Sequence, residues 1–205
     1  LLDGTPAPDL RGATLAGARF LVLETVALDG VRPQPAQGFE RALAALAAAG
    51  ARIEHASLPC VAVAMDLAGV LYAPECYGTW GPTIEANPDV MFAPVRDRFR
   101  AGAAVKAHEY VAGWRRLEAL RGEYARATAG FDAVLIPTAA TLPQRIDDLL
   151  ADPAYFAAEN LLTLRNTRIG NLMGLCVLTL PSGVPMTGLS LMAAGGDEAR
   201  LLRLG

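Results

Sequence analysis

The side chains of this sequence that could carry acyl-transfer or metal chemistry are few: Ser57, Ser182 and Ser190, a single lysine at Lys106, His55 and His108, and Cys60, Cys76 and Cys176. A Ser-His-Asp hydrolase needs its nucleophile in a G-x-S-x-G elbow between a strand and a helix. "GLSLM" around Ser190 has only the first half of that pattern and lies inside an apolar run. It predicts a strand serine satisfied by a neighbour. Ser182 in "LPSG" closes a strand, where a turn serine is the ordinary reading. Cys176 also sits in an apolar run and reads as a core residue. The three cysteines lack metal-ligand spacing and are read as reduced, mostly buried thiols of a cytoplasmic protein. With two isolated histidines they give no zinc site. No catalytic residue, metal or cofactor is assigned.

Two charged clusters remain. Asp147 and Asp148 are adjacent, and adjacent side chains do not face one another on a helix or strand. They read as a solvated loop. Arg96, Arg98 and Arg100 alternate in "VRDRFRAG". They form either a solvated edge or a clamp for an anion, which the planar guanidinium suits. "AGGDE" holds too little of G-x-G-x-x-G for a dinucleotide site.

The elements that must position these groups follow from the apolar pattern. The chain has 205 residues, 53% hydrophobic and 19% charged, enough for a sizeable core in one domain or part of a larger one. A net charge of -3 gives no electrostatic case for nucleic acid or an anionic membrane. No apolar run reaches the roughly 18 to 20 residues of a membrane span.

Residues 1–15 are rich in Pro, Gly and Asp and read as a linker or loop. "ARFLVLE" (Ala18 to Glu24) is a strand. Phe39, Leu43 and Leu46 then form a helical stripe ending at Gly50, and "RIEHASLP" is a second strand. A strand-helix-strand unit of this length favours a parallel pair. One or two helices fill Val61 to Asn87. Tyr110, Trp114, Leu117, Leu120 and Tyr124 mark one face of a helix over Lys106 to Ala127. "FDAVLIPT" is a strand, a helix spans about Pro153 to Leu164, and "CVLTLP" and "TGLSLMAA" are two further strands. "CVLTLP" reads as a buried core strand with the polar stretch before it as a loop. A last helix begins at "GGDEARLLRLG" with its acids in the first turn. The fold class is α/β: a mixed, mostly parallel sheet flanked by helices.

The chain resembles the amidase signature family, and the resemblance runs from about Leu15 to Gly205. The matching text is "DAVLIPTAATLP" (Asp132 to Pro143), "LRNTRIGNLMGLCVLTLPSG" (Leu164 to Gly183) and "TGLSLMAAGGDEARLLRL" (Thr187 to Leu204). Asn171, Gly174, Pro181, Gly183, Gly188, Asp197, Leu201 and Leu202 fall at matching positions. Cys176 stands where the family usually has Pro.

The resemblance implies amide hydrolysis by a Ser-Ser-Lys triad, with a Gly-rich loop as the oxyanion hole. This sequence has no Ser-Ser pair and no Gly-Ser-Ser-Gly loop, and Lys106 does not match the catalytic lysine. The resemblance therefore implies that residues 1–205 are the C-terminal portion of one amidase-type domain, without its N-terminal catalytic part. That missing half and a small-molecule amide would be its partners, with homodimerisation of an exposed edge a further expectation. Arg98 falls about where some relatives bind a substrate carboxylate, and Thr138 and Asn171 are pocket or loop-fixing residues. Alternatives are a non-catalytic α/β binding module and an amidotransferase A-type subunit.

Overall fold

The computed structural model describes residues 7–205. The element order is β1 (Arg19–Leu23), α1 (Pro33–Ala48), β2 (Arg52–Ala56), α2 (Pro59–Asp66), α3 (Ala68–Ala86), α4 (Ala93–Arg100), α5 (Ala107–Thr128), β3 (Ala133–Pro137), α6 (Ile146–Ala151), α7 (Pro153–Met173), β4 (Leu175–Pro181), β5 (Gly188–Ala194) and α8 (Glu198–Leu204). A short 3-10 turn, Ala101–Ala104, follows α4.

The strands form one sheet in the order β2-β1-β3-β5-β4. β1 pairs parallel with β2 and with β3, while β5 runs antiparallel to β3 and β4. The mixed, mostly parallel α/β sheet of the sequence reading is therefore present. β1 and β3 lie at the centre and are apolar on both faces, as a strand covered by helices on two sides must be. Leu21, Leu23, Val134, Ile136 and Met192 face a core shared with Val61, Leu71, Leu117, Leu120 and Ile169 of α2, α3, α5 and α7. Phe20, Val22, Leu135, Leu189 and Leu191 face Phe39, Leu43 and Leu46 of α1 and Leu201 of α8.

Two sequence expectations are corrected here. α7 runs nine residues past Leu164, so Arg165 to Met173 is helix and not loop. Asp152 caps its start, accepting from the Ala154 and Tyr155 N–H groups, and Gly174 ends it at φ 69°. Gly170 lets the helix lie close on the sheet, since a Cβ there would stand 2.8 Å from Val177 Cγ2. Secondly, β4 is an outer strand and not a buried one. Val177 is 46% exposed, and Thr179 and Pro181 on the same face are exposed too. Side chains alternate between the two faces of a strand, and the face of β4 that carries Val177, Thr179 and Pro181 is only partly covered by helices, so these residues meet solvent.

Smaller differences follow local rules. Asp147 and Asp148 lie in the first turn of α6, where carboxylates favour the helix dipole. Cys60 is buried, but Cys76 and Cys176 are only half-buried. No single helix among the described residues is long and apolar enough to cross a membrane. α2 and α3 together match that length and composition with a 42° bend, and they pack Val61, Ala64 and Leu71 into the core.

Candidate substrate site

The three alternating arginines lie on α4, and helical geometry sorts them. Each residue advances about 100° around a helix, so Arg96 and Arg100 share a face while Arg98 points away from both. Arg96 donates to the Pro88 carbonyl at 3.0 Å and to Asp97 at 3.2 Å. Arg100 grips Glu85 with two parallel bonds of 2.8 and 2.6 Å, a bidentate geometry. That bond pulls the Glu85 carboxyl below its ordinary range. Arg98 has no acidic or hydrogen-bonding partner among the described residues. Its side chain lines a cavity of about 470 Å³ between α3, α4 and α7.

Close backbone contact holds α4 at that cavity. Gly102, in the turn after α4, approaches α3 so tightly that a Cβ would stand 2.1 Å from the Ala73 carbonyl oxygen. Pro74, the next residue of α3, lacks an N–H and interrupts the helix's own ladder there. From α7, Leu161, Leu164, Arg168 and Asn171 enter the lining at spacings of three, four and three, one helical face. Tyr72, Cys76 and Phe99 complete the polar and aromatic wall. Burial pushes the Tyr72 phenol above its ordinary value, opposed by the charges of Arg168 and Arg121. Burial also raises the Cys76 thiol, with Glu75 adding to the shift, so it stays a protonated, poor nucleophile.

Of the residues singled out from sequence, Arg98 and Asn171 therefore share one cavity. Thr138 does not join them. It follows β3 and lines a separate recess of about 350 Å³ with Thr179, Thr187 and Met186. Its hydroxyl lies 2.8 Å from that of Ser190, which lies 3.0 Å from Thr179. This chain of three hydroxyls crosses β3, β5 and β4. Ser190 is 2% exposed at its middle, satisfied by its neighbours as its apolar surroundings predict.

Of the two roles read for Asn171, pocket or loop-fixing, it lines the cavity, and the bonds that tie α7 to neighbouring main chain come from Asn166. Asn171 is exposed in the last turn of α7, whereas Asn166 is fully buried and bonds two main-chain carbonyls. A loop reading of "RNTRIGN" hides this. A helical reading of the same letters separates Asn166, turned to the core, from Arg168 and Asn171, turned to the cavity. Arg168 and Tyr72 are the lining residues that sequence reasoning missed.

A family model described as Amidase matches residues 9–202. The chain belongs to the amidase family. One relative of this amidase-family chain is a 2-amino-5-chloromuconic acid deaminase of Comamonas testosteroni, 32% identical over 98% of this chain and 44% of its own length. A second is the A-type subunit of a glutamyl-tRNA(Gln) amidotransferase from an Exiguobacterium species, 26% identical over 99% of this chain and 48% of its own. The chain thus spans about half the length of the curated relatives it matches. Among solved structures, a 6-aminohexanoate cyclic dimer hydrolase complexed with substrate superposes with a TM-score of 0.76 at 20% identity, covering 98% of this chain and 48% of that one. A crystal structure of an amidase gives 0.75 at 23% identity, covering 94% and 45%. These two likenesses establish the amidase fold for the sheet and helices described above.

Proposed function

We propose that these residues form the substrate-binding half of an amide hydrolase whose bond-breaking groups come from chain outside them. The carrying observation is a cavity lined by both Arg98, a guanidinium unpaired among the described residues, and Asn171, with no serine or lysine in its described lining. Ser57 lies beyond β2 and bonds Glu24, Ser182 bonds Thr187, and Ser190 bonds Thr138 and Thr179. Lys106 lies at the start of α5, on none of these elements.

The division of labour follows from that geometry. Arg98 grips a carboxylate of the substrate through its planar fork. The Asn171 amide offers a donor and an acceptor beside it, and Leu161, Leu164 and Phe99 hold the hydrocarbon part. Fixing the substrate at both ends presents its C–N bond in one orientation, which is where much of an enzyme's rate gain originates. Thr138 holds the ends of β3, β5 and β4 together and takes no part in binding. The Comamonas relative is a deaminase of an acid, which supports an anionic substrate. A cytoplasmic setting agrees with three free thiols.

The test uses the full-length protein that carries these residues and measures ammonia release from amides with and without a carboxylate. Arg98→Ala is expected to lower kcat/KM on the carboxylate-bearing amide by about a hundredfold, the loss typical of one charged hydrogen-bond partner. Unchanged kcat/KM overturns the assignment. Ammonia release by residues 1–205 alone overturns the separate triad. A second reading, an A-type subunit that hands ammonia to a partner, is favoured by the match to the Exiguobacterium protein. Ammonia release that appears only with a partner protein present decides for it.

A further inference from the structure

The same cavity holds a second guanidinium. Arg168 lines it from α7, one helical turn before Asn171, and has no hydrogen bond or ion pair among the described residues. It is half-buried, so water does not screen it fully. The Tyr72 hydroxyl in the same wall is closed off from solvent and also lacks a partner. The cavity lining contains no carboxylate at all. Glu75, the acid on α3 that acts on both Tyr72 and Cys76, is exposed and stands outside the lining. On α4, by contrast, Arg96 and Arg100 are each matched by acids.

Two like charges around one cavity repel each other, and a buried hydroxyl without a partner is unfavourable. A ligand with a single negative charge neutralises only half of this. We propose that Arg168 is a second anion-binding residue, so that the site takes a substrate with two carboxylates, one for Arg98 and one for Arg168. The inference rests on the reading of this cavity as the substrate pocket. The lining also holds apolar side chains, Met65, Ala68, Leu161 and Leu164, which suit the short hydrocarbon linking two acid groups. Arg168 acts on selection of the substrate and not on bond breaking, so its loss appears as a change in preference.

The experiment measures, on the full-length protein, kcat/KM for a dicarboxylic amide and for the monocarboxylic amide of the same length. Inhibition by adipate and by hexanoate is measured alongside. Adipate is expected to inhibit at least about tenfold more tightly than hexanoate, the discrimination open to a site built for a charged partner. Arg168→Gln is expected to reduce the dicarboxylate preference by a similar factor, and Arg168→Lys to restore part of it. Because the wild-type inhibition needs no variant, a misfolded Arg168→Gln leaves the test intact. Equal inhibition by the two acids, lost in Arg98→Ala, overturns the second site and leaves the first standing. No inhibition by either acid overturns both.

Discussion

The Asn166 side-chain amide donates to two main-chain carbonyls at once, Pro137 at 2.7 Å and Ala27 at 3.0 Å. Its own oxygen accepts from Arg165, which also donates to the carbonyls of Ala27 and Asp29. One turn of α7 thereby locks the end of β3 to the loop after β1. The cavity face of α7 is set by this turn, since Arg168 and Asn171 follow within five residues.

Asn166→Ala is expected to destabilise the protein by about 2–4 kcal/mol. The Pro137 carbonyl loses its side-chain donor, the Ala27 carbonyl keeps only Arg165, and Arg165 loses an acceptor; each unsatisfied group costs about 1–3 kcal/mol. Asn166→Asp keeps the shape but replaces the donor with a charge facing two carbonyl oxygens, and is expected to be worse. Urea unfolding of the full-length protein measures both. An unchanged midpoint for Asn166→Ala means the two bonds contribute nothing.

Gly102 tests how the cavity is held. Gly102→Ala places a methyl against the Ala73 backbone, and backbone cannot yield as a flexible side chain can. Overpacking of this kind costs about 1–3 kcal/mol. The turn must move off α3, carrying α4 and Arg98 with it. The expected outcome is a KM for a carboxylate-bearing amide raised about tenfold, with kcat changed less. Gly78→Ala on α3 is the control, because a Cβ there meets nothing within 4 Å. Equal effects of the two substitutions count against the argument.

Asp132 gives the pH prediction. Burial alone would raise its carboxyl, but the Arg19 N–H at 2.6 Å and the Arg200 guanidinium outweigh burial and hold it below its ordinary value of 3.8. A carboxyl with a depressed folded pKa contributes stability above the unfolded value, and that stability is lost as pH falls through the folded value. The contribution is expected to be complete above about pH 5 and to fade below pH 4. Asp132→Asn should lower stability near neutral pH and flatten the acid limb of the stability–pH curve. Parallel curves for the two proteins, from thermal unfolding between pH 3 and 7, would remove Asp132 as the cause.

Alternation and helical spacing are properties of neighbouring letters, so the order of the strands, and of the helices other than α4 and α6, was already legible in them. "ARFLVLE" had to be a strand covered on both faces, and Leu117, Leu120 and Tyr124 had to share one helix face. The family was legible too, in the run from Asp132 to Leu204. Arg98 was marked, but not why it differs from Arg96 and Arg100. That required α4 to be a helix, which splits alternating residues between faces, and required Glu85 and Asp89 to reach the other two. The length of α7 was hidden because Arg165, Asn166 and Thr167 are polar, and polar runs resemble loops. Asn166 is tolerated in the core only because carbonyls 29 and 139 residues away in sequence come to meet it. The cavity with two cations unpaired among the described residues is likewise a product of tertiary structure: α7 lies far along the chain from α3 and α4, and no local pattern records which charges their packing leaves without a partner.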